Sequence, residues 1–357
     1  MGTLLEKAYE GLDPEACIDY HLHLLNFEED GAIHSRFKSW KHPFLHLLFL
    51  YFRQVFGVKD EPLATSQLLD RLIQLKTGGT YCLLAFDRNY EDPERSQFCV
   101  SNEFIFQASQ VDQAHFLPVA SIHPYRADAL DELEKWASLG VKMIKWLPNV
   151  MGMDPSDPRC LAFYRKMADL RIVLLTHSGH ESLVPLAVDQ ELGNPLRLRL
   201  ALDQGVRVIM AHSATSGRGV DFDKGSSFRC WNFDLFLRLM QEGRSKDLLF
   251  GDLAGVTFLN RMRYLDRLLE EAQPGKKLDG RLVNGSDYPI PCCSWAISTY
   301  ALQLKGHITA RDRKELKEIF RLNPLLFDFV LKRTVRHTKT HEMFPKDLFA
   351  RRLFTKE

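Results

Sequence analysis

The sequence has little surplus charge of either sign. Its 357 residues carry 47 Lys plus Arg against 46 Asp plus Glu, so the bulk electrostatic footprint of a nucleic-acid-binding protein is missing. Cysteine is sparse and scattered: the seven are odd in number, with one adjacent pair (Cys292, Cys293) and no Cys-x-x-Cys. Most lie in apolar runs, a pattern of reduced, packed thiols that points to the cytoplasm rather than to a disulfide framework. Long apolar runs are also lacking. The most apolar, 43–52 (PFLHLLFLYF), contains His46 and is about half as long as a membrane-spanning helix requires. It reads as a buried or interfacial helix, and no membrane partner is expected. The opening MGTLLEKAYEGLDPEA has acids and no continuous apolar segment, and Glu6 stands where a myristoylation signal needs Ser or Thr; neither a leader nor an acyl anchor is expected. Internal repeats, low-complexity tracts and evident linkers are absent. His42 and His46 are one helical turn apart but lack the Glu of a His-Glu-x-x-His site, so they read as packing. His337 and His341 lie in a charged tail and read as solvated.

What the sequence does hold is core. A composition 45% hydrophobic and 11% aromatic is ample for a large packed interior. Apolar runs recur at 17–23, 79–86, 115–122, 141–147, 171–177, 206–212, 247–253 and 281–287, each followed by an amphipathic stretch, several of which stop at Gly. Eight strands alternating with helices predict a (β/α)8 TIM barrel over 1–335, because parallel neighbours need crossover connections. A doubly wound open sheet is the competing arrangement. Residues 24–62 form a long insertion after the first strand, lid-like or an interface, with Phe27, Phe37 and Trp40 as wall or packing residues. A carboxy-terminal helical extension and a tail over 336–357 complete the chain. The apolar 43–52 segment and the closing helix leave a homodimer open.

In the first strand, IDYHLHL, polar residues alternate with apolar ones, which predicts Asp19, His21 and His23 on one face. His21 and His23 end that strand, His177 the fifth (VLLTHSG), His212 the sixth (VIMAHSA) and Asp287 the eighth (VNGSDYP). Each of these four apolar runs therefore terminates in a group able to ligate a metal, at the end of the barrel where active sites are built. Imidazoles with one carboxylate suit a borderline divalent cation such as Zn2+. Burying five such groups without partners would cost kilocalories each.

With GVKMIKWLP on the fourth strand and RLNPLLFDF over 321–329, this series resembles the amidohydrolase superfamily, in its amidohydrolase-2 branch of metal-dependent hydrolases and decarboxylases. The resemblance implies that His21, His23 and His177 bind the metal, with Asp287 as ligand or as general base. It implies His212 as a second-metal ligand or as the residue that polarises substrate or holds water. Lys145, in KWLP, is implied first as a contact to substrate or to the ligands, and second as a carbamylated bridge between two ions. One Zn2+ is favoured over two, with Mn2+, Fe2+ and Ni2+ open. Arg218, in the loop after strand six, and Arg88, after strand two, are candidates to select a carboxylate on a small-molecule substrate. His180 and Glu181 are expected in loop or supporting roles. The implied activity is hydrolysis of an amide, ester or lactone, with Asp287 taking a proton from activated water. Decarboxylation of an aromatic or unsaturated acid is the alternative on the same residues. A barrel that binds without catalysis is the non-enzymatic one.

Overall fold

A computed structural model describes residues 3–24, 65–92, 99–181, 187–293 and 295–354. Apart from Leu24 the expected insertion falls outside these, and with it Phe27, Phe37, Trp40, His42 and His46. Eight parallel strands appear where the apolar runs stand: β1 (Ile18–His23), β2 (Thr80–Leu84), β3 (Phe116–Val119), β4 (Met143–Trp146), β5 (Val173–Thr176), β6 (Val208–Met210), β9 (Leu249–Asp252) and β10 (Leu282–Val283). Between β6 and β9 lies an antiparallel hairpin, β7 (Arg218–Val220) and β8 (Arg229–Trp231), within a stretch that reads as loop from sequence. The strands form two parallel sheets, β1-β2-β3 and β10-β9-β6-β5-β4. Backbone bonds seal both seams. Lys145 N–H donates to Ala120 at 2.7 Å on one side; on the other, Tyr20, His23 and Asp287 amides bond to Asn284, Tyr288 and His21 carbonyls at 2.8–3.0 Å. The result is a TIM barrel.

Helices α1 (Thr65–Leu75), α2 (Asn102–Gln110), α3 (Ala129–Ser138), α4 (Leu161–Asp169), α5 (Asn232–Leu239) and α6 (Leu265–Glu271) pack outside the strands, and α7 (Ala310–Leu322) and α8 (Pro324–Lys332) close the ring. Gly140 and Gly205 stop their helices in the left-handed conformation, φ +89° and +81°, which glycine adopts without a Cβ penalty. The interior is filled from alternate strand positions, among them Tyr20, Leu84, Met143, Leu175, Ile209 and Val283. Leu353 joins this cluster, and its amide donates to the Tyr20 hydroxyl at 2.8 Å. The carboxy-terminal segment therefore plugs the barrel at the end where β1 begins. His337 is largely covered and His341 exposed.

Among the described residues no helix is long and apolar enough to cross a membrane. All seven cysteines are free thiols.

Candidate metal centre

The alternation in IDYHLH does not survive intact. The pairing of β1 with β2 shifts register between Asp19 and Leu22, a bulge that re-aims the side chains on either side of it. Tyr20 fills the barrel, Leu22 packs outward with Leu72 and Ile105, and His21 and His23 face the other strand ends. Asp19 parts from them. It lines a small cavity with Tyr9, Asp328 and Phe329, and its carboxylate accepts the amides of His21 at 3.0 Å and Ser286 at 2.9 Å. The expectation of three polar groups on one face thus holds for two, because the bulge breaks the period-two pattern.

His21 is the hub. Its Nδ1 donates to Asp252 Oδ2 at 2.8 Å, which leaves the lone pair on Nε2, where Lys145 Nζ stands 3.2 Å away. Asp287 Oδ1 lies 3.6 Å from that atom and 3.4 Å from His23 Nε2; these three groups are close enough to share one ion. The His212 ring centroid is 5.0 Å from that of His21 and 5.1 Å from that of His177. Nδ1 of His212 donates to the Ala254 carbonyl at 2.9 Å, so its lone pair likewise sits on Nε2. His23 Nδ1 and His177 Nε2 are buried with no hydrogen-bond partner among the described residues.

The electrostatics favour a cation. Burial holds His21, His177 and His212 well below the usual imidazole value and lowers His23 as well, so the rings are neutral, the form that ligates. Burial alone would raise Asp287, but His212, His23 and His21 together hold its carboxyl well below the usual carboxylate range. Neutral imidazoles, a carboxylate and an orphaned buried Nε2 fit a borderline divalent ion.

Both turns that carry the candidate ligands use the left-handed region. Asp287 has φ +63°, and His212, Ser213 and Ala214 have φ +59°, +48° and +51°, each costing on the order of 1–2 kcal/mol for a residue with a Cβ. Asp252 holds the second turn: its Oδ1 accepts the His212 amide at 2.6 Å, and its carbonyl accepts Ser213 Oγ at 2.8 Å. With His21 and the Ala254 amide also bonded to it, Asp252 is committed to holding the His21 ring and the His212 turn. Although it also clusters with His21 and His212, its acceptor sites are already engaged.

A family profile described as amidohydrolase matches residues 18–327. The chain belongs to the amidohydrolase family, in its amidohydrolase-2 branch. Among solved structures it is similar to an uncharacterised TIM-barrel protein of Bordetella bronchiseptica (16% identity, 77% of this chain and 86% of that one, TM-score 0.51). It is also similar to a probable 2-pyrone-4,6-dicarboxylic acid hydrolase of Acinetobacter baumannii, solved with citric acid bound (14%, 86% and 95%, TM-score 0.48). A third is a 5-carboxyvanillate decarboxylase of Sphingomonas paucimobilis (12%, 94% and 95%, TM-score 0.46). The first supports the barrel fold; none bears on this chain's substrate. No curated protein matches the chain.

Among the other residues singled out from sequence, Lys145 stands inside the cluster of this family member: it is buried on β4, with Nζ 3.2 Å from His21 Nε2. Burial pulls it down to about 8 against the pull of Asp252, Asp287 and Glu181. Glu181 Oε2 lies 3.4 Å from His177 Nδ1, and His180 Nε2 bonds to the Arg218 carbonyl. Arg88 is exposed over the Tyr90 ring; Arg218 is exposed on the hairpin, over Trp231 and bonded to the Arg229 carbonyl. Among the described residues, a loop charge that does reach the centre is Arg261, between β9 and α6. Buried in the field of Asp287, Glu181 and Asp252, it has Nε and Nη1 without hydrogen-bond partners among the described residues. The sequence reading missed it because LNRMRYLDRLLEEA looks amphipathic throughout, whereas the helix begins only at Leu265. Asp252 closes the seventh apolar run and carried the same strand-end signal as His212.

Proposed function

We propose that this protein is a metal-dependent hydrolase acting on an amide, ester or lactone of a carboxylate-bearing small molecule. The observation that carries it is the convergence of His21, His23, His177, His212 and Asp287 at one end of the barrel, with rings neutral and carboxylate ionised. A divalent ion, Zn2+ for this donor set, would supply a water acidified toward neutral pH. His21, His23, His177 and Asp287 would hold it. Asp287 accepts the proton of the attacking water and returns it to the leaving group. His212, its Nδ1–H fixed on Ala254, presents Nε2 to substrate or water. Asp252 keeps His21 in the tautomer whose Nε2 is available.

Arg261 supports the substrate class. Among the described residues the carboxylates of Asp252, Asp287 and Glu181 outnumber the cations Lys145 and Arg261 by one, and a divalent ion would turn that deficit into a surplus of one positive charge. A substrate carboxylate neutralises it, and a buried guanidinium whose Nε and Nη1 have no hydrogen-bond partner among the described residues can donate a charge-assisted bond to one. Arg261→Met is expected to lower kcat/KM for a carboxylate-bearing substrate by about 10–100-fold, the loss of charge-assisted hydrogen bonds worth roughly 1.5–3 kcal/mol. An uncharged analogue should be unaffected; equal losses on both would remove Arg261 from substrate recognition.

The Nε2 lone pair of His21 cannot serve both a cation and the Lys145 ammonium, so Lys145 turns to substrate once an ion is held. Elemental analysis of protein purified without chelator is then expected to give about one ion per chain, with no gain in activity when bicarbonate is present during reconstitution. Two ions and a bicarbonate effect would make Lys145 a carbamate bridge. The activity itself is tested on a panel of carboxylate-bearing esters, lactones, amides and aromatic acids. Release of carbon dioxide without hydrolysis of any of them would make the protein a decarboxylase, and a metal-loaded protein silent on all would argue for binding alone.

A further inference from the structure

Helix α8 carries a buried ion cluster behind the metal centre that the reaction does not use. Asp328 and Lys332, one turn apart, are 2% and 0% exposed as side chains, and Lys332 Nζ bonds to Asp328 Oδ2 at 2.5 Å. The same Nζ donates to the Gly285 carbonyl at 2.5 Å, two residues before Asp287. Asp19, also buried, lies in the field of Lys332 and holds the Ser286 and His21 amides. The linkage continues inward. A Cβ at Gly285 would come within 2.8 Å of His21 Cβ, so the turn runs close against the base of the His21 side chain, with room there only for glycine. Ser286 Oγ and the Asp287 amide both donate to the His21 carbonyl, at 3.3 and 2.8 Å.

Stability is a weak reason for this cluster. Burial pushes Asp328 up to about 7 even with Lys332 beside it, and buried ion pairs are commonly replaced by apolar residues without loss of stability. Its geometric effect is specific: Lys332 ties one carbonyl of the turn that must hold Asp287 in the left-handed conformation.

We propose that Lys332, partnered by Asp328 and Asp19, is a positioning residue that fixes the Gly285–Asp287 turn and, through Gly285, the ring of His21. The assignment rests on the metal-centre reading for its functional meaning, and its test does not depend on it. The double variant Asp328→Leu with Lys332→Met removes both charges together, so neither is left buried alone. Hydrogen exchange is measured on ion-free protein, and Zn2+ affinity by competition with a chromophoric chelator. Peptides over 284–289 and 18–24 are expected to exchange about 10-fold faster while β5 stays protected, and Zn2+ affinity to fall about 10–100-fold, as for other residues that orient ligands. Asp328→Asn with Lys332→Gln keeps a donor for Gly285 and is expected to restore both readouts. It also serves if the first variant does not fold: loss of protection and affinity in this pair would overturn the role of the donor. A folded Leu/Met variant with unchanged exchange at 284–289 overturns the proposal. Wild-type protein that binds no Zn2+ would count against the metal centre instead, with exchange still deciding whether Lys332 holds the turn.

Discussion

Asp287→Asn is expected to lower turnover by about 10²–10⁴, the usual contribution of a general base, while leaving most of the metal affinity in place. Asparagine keeps the shape and one oxygen, but its amide cannot take a proton from the attacking water. The backbone accepts the change, because Asp287 sits at φ +63° and asparagine is among the few residues that tolerate that region. The ion would still have His21, His23 and His177. The check is parallel measurement of kcat and bound metal in variant and wild type. Near wild-type turnover would sink both the base assignment and the hydrolytic mechanism built on it. Joint loss of metal and activity would make Asp287 chiefly a ligand.

His21→Ala combined with His23→Ala should strip the ion while leaving the barrel folded. If the roughly 10–16 kcal/mol of a four-ligand zinc site is shared evenly, two lost imidazoles cost about 5–8 kcal/mol, more than 10³ in affinity. The fold should persist because the interior is filled from other positions, Ile18, Tyr20, Leu84, Leu175 and Ile209 among them. Asp252 loses one donor but keeps the amides of His212 and Ala254. Elemental analysis together with circular dichroism decides the matter. Stoichiometric metal in a folded double variant would mean that the ion is held elsewhere.

Much of this was legible along the chain. Eight apolar runs, evenly spaced apart from the insertion after the first, specify eight strands because each must be buried on both faces, and parallel order follows from the helical stretches between them. The strand-end histidines were legible for a related reason: a polar residue that terminates a buried run is held at the barrel rim, where the other strands end too. The hairpin of β7 and β8 was not legible, since two three-residue strands carry too little pattern. Nor was Arg261, because burial of a loop arginine depends on what the turn packs against, not on its neighbours in sequence.

The IDYHLH strand separates the two kinds of information most clearly. Composition, spacing and residue type by themselves gave eight strands alternating with helices and the His and Asp groups at the strand ends, with barrel and open sheet both compatible; closure into the barrel that brings those groups together belongs to the tertiary structure. Which way each side chain points was decided only by tertiary structure. A one-residue register shift against β2 sends Asp19 to the helix layer and leaves His21 and His23 at the centre. Strand periodicity is a local rule, whereas register, the left-handed turns at His212 and Asp287, and the buried partners Asp252, Lys332 and Arg261 are set by contacts between segments distant in the chain.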